Sequence, residues 1–153
     1  MPNNITTEIV EQVFFIDGSL RDIYIIEANL NDWQTFLNWL ESTEYDVDLF
    51  IDGEEVPFEN CKASRLFEVK KRHMPLLSIG FKGVLINCHF FSEAEMEFDI
   101  DPKQIKGIVE AGVVIEFMKK LSSIVCKESI LTMENSPEYP LVTVKPDGIV
   151  HII

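Results

Sequence analysis

The sequence predicts an α+β fold: a curved, mostly antiparallel sheet built from hairpins, with two principal helices packed on one face. Three observations carry this reading. Asp17-Gly18, Asp52-Gly53, Lys82-Gly83 and Asp147-Gly148 each separate two strand-like runs. Two longer segments repeat their apolar residues at the helical period. From Glu93 to Asp101 an acid falls at every second position, the side-chain period of an extended strand.

The elements follow in chain order. Residues 1–10 are polar, with no basic stretch leading into an apolar one, and read as a tail or lead-in. Residues 11–153 then form a single α+β domain. The Xaa-Gly turns predict hairpins pairing 12–17 with 21–28, 46–51 with 54–58, 76–81 with 84–91, and 141–145 with 149–152. Pro57 weakens the second arm at 54–58, because it cannot donate to a ladder. Asn31 is expected to cap the first helix, with Gln34 three residues on as its capping-box partner. Trp33, Phe36, Leu37 and Leu40 then form an apolar stripe, which Trp39 widens or leaves for solvent. The second helix runs from about 108 to 126. Val114, Phe117, Met118, Leu121, Ile124 and Val125 make its buried side, and Lys119, Lys120 and Lys127 complement the dipole at its C-terminal end. A shorter helix falls at about 59–68, Ser129 to Met133 is one more strand, and Ser136-Pro137 with Pro140 marks a loop.

Composition bounds the function. The 153 residues carry 26 Asp and Glu against 13 Lys and Arg, a formal net charge of -13. That field repels nucleic acid and favours capture of basic partners. No apolar run approaches the roughly 20 residues of a membrane span. Cys61, Cys88 and Cys126 have neither disulfide-framework nor zinc-ribbon spacing and read as free thiols. Together these predict a cytoplasmic protein that binds neither membrane nor nucleic acid.

The acidic run is the candidate functional feature. Extended, it sends Glu93, Glu95, Glu97, Asp99 and Asp101 to one side and Ala94, Met96, Phe98 and Ile100 to the other. The preceding segment keeps that parity, with Val84, Ile86, Cys88 and Phe90 apolar. A three-residue loop at 93–95 would set Phe90 opposite Phe98, His89 opposite Asp99 and Asn87 opposite Asp101. The expectation is a shared face of Asn87, His89, Glu97, Asp99 and Asp101. A second acidic alternation, Asp46, Asp48 and Asp52 against Tyr45, Val47, Leu49 and Ile51, supports it, with Phe50 interrupting. Neighbouring carboxylates on such a face lie about 6.8 Å apart and repel by roughly 0.6 kcal/mol in water before screening. That cost is small enough for the run to stand as a solvated face with no partner. Lys62, Arg65, Lys70, Lys71, Arg72 and His73 form a contrasting basic cluster, suited to anions or to a counter-patch in self-association.

No phosphate loop, nucleophile elbow, HExxH or Walker motif is present. His73, His89 and His151 are scattered, only one lies near the acidic run, and no EF-hand loop occurs, so no metal site or cofactor is expected. The best acid–base pair is His89 beside Asp99, where a carboxylate would raise and orient the imidazole. Cys88 points inward and reads as inert.

Gly18-Ser19-Leu20-Arg21-Asp22-Ile23-Tyr24, Asp32-Trp33, Ile86-Asn87-Cys88-His89-Phe90-Phe91 and Glu97-Phe98-Asp99-Ile100-Asp101-Pro102 resemble segments of small uncharacterised bacterial proteins. They run through about two-thirds of the chain, and the resemblance implies no activity and no catalytic residues. In type, though by no motif, a small acidic α+β protein is similar to bacterial immunity proteins, which neutralise basic toxins.

The leading expectation is a non-enzymatic protein that engages a basic protein through Glu93, Glu95, Glu97, Asp99, Asp101, Asp46 and Asp48, of the immunity or inhibitor type. The alternatives are a small hydrolase or ligand-binding enzyme with a cleft near Asn87, His89 and Asp99, and a structural homo-oligomer joined through an edge strand such as 149–152.

Overall fold

Strand alternation and helical periodicity divide this chain between two layers. The computed structural model describes residues 5–153. Among them are helices α1 (Thr7–Val13), α2 (Leu30–Glu41), α3 (Ala63–Val69) and α4 (Ile108–Val125). The strands are β1 (Arg21–Ile25), β2 (Asp46–Ile51), β3 (Glu54–Val56), β4 (Pro75–Phe81), β5 (Val84–Ser92), β6 (Glu95–Ile100), β7 (Ser129–Met133), β8 (Pro140–Val144) and β9 (Val150–Ile152). They form one open antiparallel sheet in the order β3-β2-β4-β5-β6-β1-β7-β8-β9.

The helices supply one layer and the inner sheet face the other. Ile23, Leu77, Ile86, Phe98, Leu131 and Val142 point inward from six strands and join one apolar cluster with the buried sides of the helices. Aromatic rings make the centre of that cluster. Phe98 packs edge-on against Phe36 of α2 and Phe117 of α4, each at 5.4 Å between centroids, and Trp33 lies 5.0 Å from Phe90. Large rings bury much area per residue, so this cluster fixes how α2 and α4 sit on the sheet.

Three of the four Xaa-Gly turns join the strands foreseen: β2 to β3, β4 to β5, and β8 to β9. The fourth does not. Residues 7–13 are helical, so no hairpin pairs 12–17 with 21–28, and the proposed lead-in 1–10 is divided. Thr7 to Val10 belong to α1, while residues 1–4 lie outside the described residues. Thr6 caps α1 by accepting from the Ile9 amide, and Val10 and Val13 bury its inner side. Gly18 still turns the chain, at φ 86°, but it leads from the end of α1 into β1.

Arg21 explains why that connection holds. Among the described residues it is the only Lys or Arg in a strand, it points to the helix side, and it is fully buried. Its guanidinium donates to the carbonyls of Val13 (2.7 Å), Phe15 (2.6 Å) and Leu20 (3.0 Å) and to Ser19 Oγ (3.0 Å). A buried cation is tolerable because it meets the carbonyl end of a helix and Asp17 at 3.7 Å.

Two further corrections are local. Asn29, not Asn31, caps α2. Its side chain accepts from the Asp32 amide at 2.8 Å, and Asp32 accepts from the Asn29 amide in return. The short helix begins at Ala63 rather than near 59, so Lys62 stands at its start.

Candidate functional site

Residues paired across an antiparallel ladder point to the same side. The register therefore lays out the outer face row by row. One row runs Asp48, Ser78, Asn87, Asp99, Asp22, Thr132 across six strands. The next runs Phe50, Leu76, His89, Glu97, Tyr24, Ile130. Asp46 and Glu95 extend the acidic character to either side.

The expected shared face holds for Asn87, His89, Glu97 and Asp99, but the register is different. The turn between β5 and β6 contains Glu93 and Ala94, with an irregularity between His89 and Ser92. Asn87 therefore pairs with Asp99 and His89 with Glu97, one pair of residues away from the three-residue-loop register. Because both registers preserve parity, the face survives the shift. His89 still reaches Asp99 diagonally, its Nε2 lying 2.5 Å from Asp99 Oδ2.

The two ends of the acidic run do not act as strand residues. Glu93 is exposed in the turn, where its carbonyl accepts from the Trp33 indole N–H at 3.2 Å. Asp101 follows β6 and caps a 3-10 turn at Pro102–Gln104, its Oδ1 accepting from the Lys103 amide at 3.0 Å. Asp46 and Asp48 are exposed on β2. Asp52 has left the face for the β2–β3 turn, where it accepts from the Met74 amide and pairs with His73 Nδ1 at 2.6 Å. Among the described residues, none of Asp46, Asp48, Glu93, Glu95, Glu97, Asp99 or Asp101 forms an ion pair with a lysine or arginine. The basic cluster lies on α3 and the turn after it, and its one ion pair with the acids of the β2–β3 region is that between His73 and Asp52.

Asp22 and Tyr24 join the site unannounced by the sequence reading. Both point away from the helices, yet each is only 3 % exposed. The connection after β7 reaches back to Asp22, where the Asn135 amide donates to Asp22 Oδ2 at 2.8 Å. Tyr24 donates its hydroxyl to the same oxygen at 2.9 Å. Asp22 and Tyr24 alternate within a short β-prone run, which was the available signal. Their neighbours on β6 and β7 are set by long-range pairing, which was not.

Electrostatics at the centre follow from burial and from crowding of acids. Burial raises the Asp22 carboxyl above its ordinary value, opposed by the Asn135 and Tyr24 hydrogen bonds and reinforced by Asp99. Burial also raises Glu97, with Asp22 adding repulsion. The Tyr24 hydroxyl is raised by burial and then by its bond to Asp22, so it remains a donor. His89 is raised by its hydrogen bond to Asp99, which outweighs its burial. Asn87 Nδ2 donates to the other Asp99 oxygen at 3.1 Å, and Ser78 donates to Asn87 Oδ1 at 3.3 Å. His89 stacks on exposed Phe91 with parallel rings 5.0 Å apart.

The cluster at the centre can store a proton and hold an imidazolium, but its polar groups are engaged with one another. Charge is presented to solvent around it, from Asp46, Asp48, Glu93 and Glu95. No group of three His, Cys, Asp or Glu among the described residues is placed to hold a metal ion. No helix there is long and apolar enough to cross a membrane. Buried Cys88 is raised well above the ordinary thiol value by desolvation.

Fold and site together define an α+β protein whose sheet is helix-covered on one side and acidic on the other. Comparison with protein-family models, curated proteins and solved structures finds no match to this chain.

Proposed function

We propose that the protein is a non-enzymatic binding protein whose acidic sheet face engages a basic protein partner, in the manner of an immunity or inhibitor protein. One observation carries the reading: the outer face gathers carboxylates from β2 on one side of β4 and β5 and from the neighbouring β6 and β1 on the other, and among the described residues no lysine or arginine pairs with those of β2 and β6. Unpaired charge of one sign on a broad face steers and orients a partner of the other sign. A non-enzymatic role fits the centre of the face, where the Asp99 oxygens and His89 Nε2 already satisfy one another.

The test compares two variants of equal charge. One neutralises the face through Asp46→Asn, Asp48→Asn and Glu95→Gln. The other neutralises Glu8→Gln, Glu11→Gln and Glu110→Gln on the helices α1 and α4, away from it. Immobilised wild type should retain a basic protein from the source organism at about 50 mM salt and release it by about 500 mM. The face variant should bind that protein at least tenfold more weakly, and the control should bind it normally. Capture of no basic protein, or equal loss in both variants, would refute the proposal.

A further inference from the structure

On the opposite side of the sheet, beneath the β2–β3 hairpin, a cavity of about 510 Å³ opens between that hairpin and α3. Its walls are Leu49, Ile51, Val56, Leu66 and Val69. Leu49 pairs with buried Leu77, which places this wall on the helix-covered face, separated by the sheet from the acidic rows. Pro57, Asn60 and Cys61 also line it. Burial pushes the Cys61 thiol up to about 11, so at neutral pH it is an uncharged wall and not a nucleophile.

The mouth is different in kind. Lys62, Arg65 and His73 stand there, with Glu59 as the opposing acid. Neither Lys62 nor Arg65 forms an ion pair or a side-chain hydrogen bond among the described residues, and both are exposed. His73 is engaged with Asp52. Two uncommitted cations on a chain of net charge -13 therefore flank the mouth of a mostly apolar cavity. The volume lies within the roughly 300–1,000 Å³ of small-molecule sites, which are apolar inside with a few polar groups fixing orientation.

The geometry points to a binding site for a free, single-chain amphipathic anion, with its apolar chain among Leu49, Ile51, Val56, Leu66 and Val69 and its carboxylate on Arg65 and Lys62. A guanidinium fork matches a carboxylate in two parallel hydrogen bonds, and an apolar chain gains by leaving water for the cavity. This site is independent of the acidic face and of any partner bound there.

Decanoate, decanol and decyltrimethylammonium, which share one chain and differ in head, are titrated into the full chain while amide resonances are followed. Decanoate should bind saturably, shift resonances within residues 49–73, and bind at least tenfold more tightly than the ammonium. Arg65→Glu should weaken decanoate at least tenfold and leave decanol unchanged. Val69→Trp, which fills the cavity, should abolish binding of both while thermal unfolding stays cooperative. If that variant fails to fold, the Arg65→Glu comparison still decides. The site is refuted if decanoate does not saturate, if the three heads bind alike, if the shifts fall elsewhere, or if Arg65→Glu has no effect. Sedimentation with anionic phospholipid vesicles in preference to free decanoate would replace it with a membrane contact.

Discussion

His89 gains a partner on folding, and the sign of its contribution follows from that. The Asp99 carboxylate raises the folded imidazole above its ordinary 6.5, so the stabilisation is complete below that value and is lost as pH rises through the higher folded value. Asp22 also holds its proton more tightly when folded, but for the opposite reason, since burial disfavours its charge. Its contribution is complete below the ordinary 3.8 and declines as pH rises through its raised folded value. The two declines therefore begin at different pH, near 3.8 for Asp22 and near 6.5 for His89. Urea unfolding should show His89→Gln removing a fall in stability above about pH 6.5, and Asp22→Asn removing one that begins near pH 4. Ring-proton titration of His89 should give a midpoint above 6.5. A midpoint at or below that value would mean that Asp99 does not hold the imidazolium.

At the scale of an element, α4 shows how a helix tolerates local defects when packing holds it. Its inner side buries Val114, Phe117, Met118 and Leu121, the positions that helical periodicity selects. Yet it carries Gly112 within its length and ends on Cys126 in the left-handed region, at φ 57°. A methyl added at Gly112 meets no neighbour within 4 Å, and the backbone there does not need glycine. Gly112→Ala should therefore stabilise the protein by about 1 kcal/mol, seen as a rise of roughly 2–4 °C in melting temperature. No rise would mean that the helix is not continuous at this point. The stripes of α2 and α4 were legible because the helical period is a property of neighbouring residues. The cap of α2 was less so, because Asn29 and Asn31 both offer the needed oxygen and only the entry angle of the chain selects between them.

For the whole molecule, the governing fact is how the charges are divided. Apart from buried Arg21, the strands contain no lysine or arginine, so the cations sit on helices, turns and loops while acids collect on the open side of the sheet. Such a face repels itself, and screening relieves it within a Debye length of about 10 Å at 0.1 M salt. Raising sodium chloride from about 10 to 150 mM should raise the melting temperature, and Asp46→Asn with Asp48→Asn should reduce that salt response. A melting temperature that falls with salt would mean that attraction, not repulsion, dominates the surface. The sheet also ends on short strands, the three-residue β3 and β9, which offer little edge to another copy.

Alternation alone determined that Glu95, Glu97 and Asp99 face together and away from Met96, Phe98 and Ile100, because a strand's side-chain period is local and survives a two-residue change of register. The strand-like look of 12–17 misled, because Val13, Phe14, Phe15 and Ile16 suit a strand until Thr6 caps a helix and Arg21 binds the carbonyls at its end. Tertiary structure decided what stands beside the acidic strand. Inserting β1 between β6 and β7 brings Asp22 and Tyr24 against Asp99 and Glu97, and the Asn135 amide after β7 binds Asp22. Pairing between segments so far apart depends on the whole sheet closing over its core, and no neighbouring residue records it.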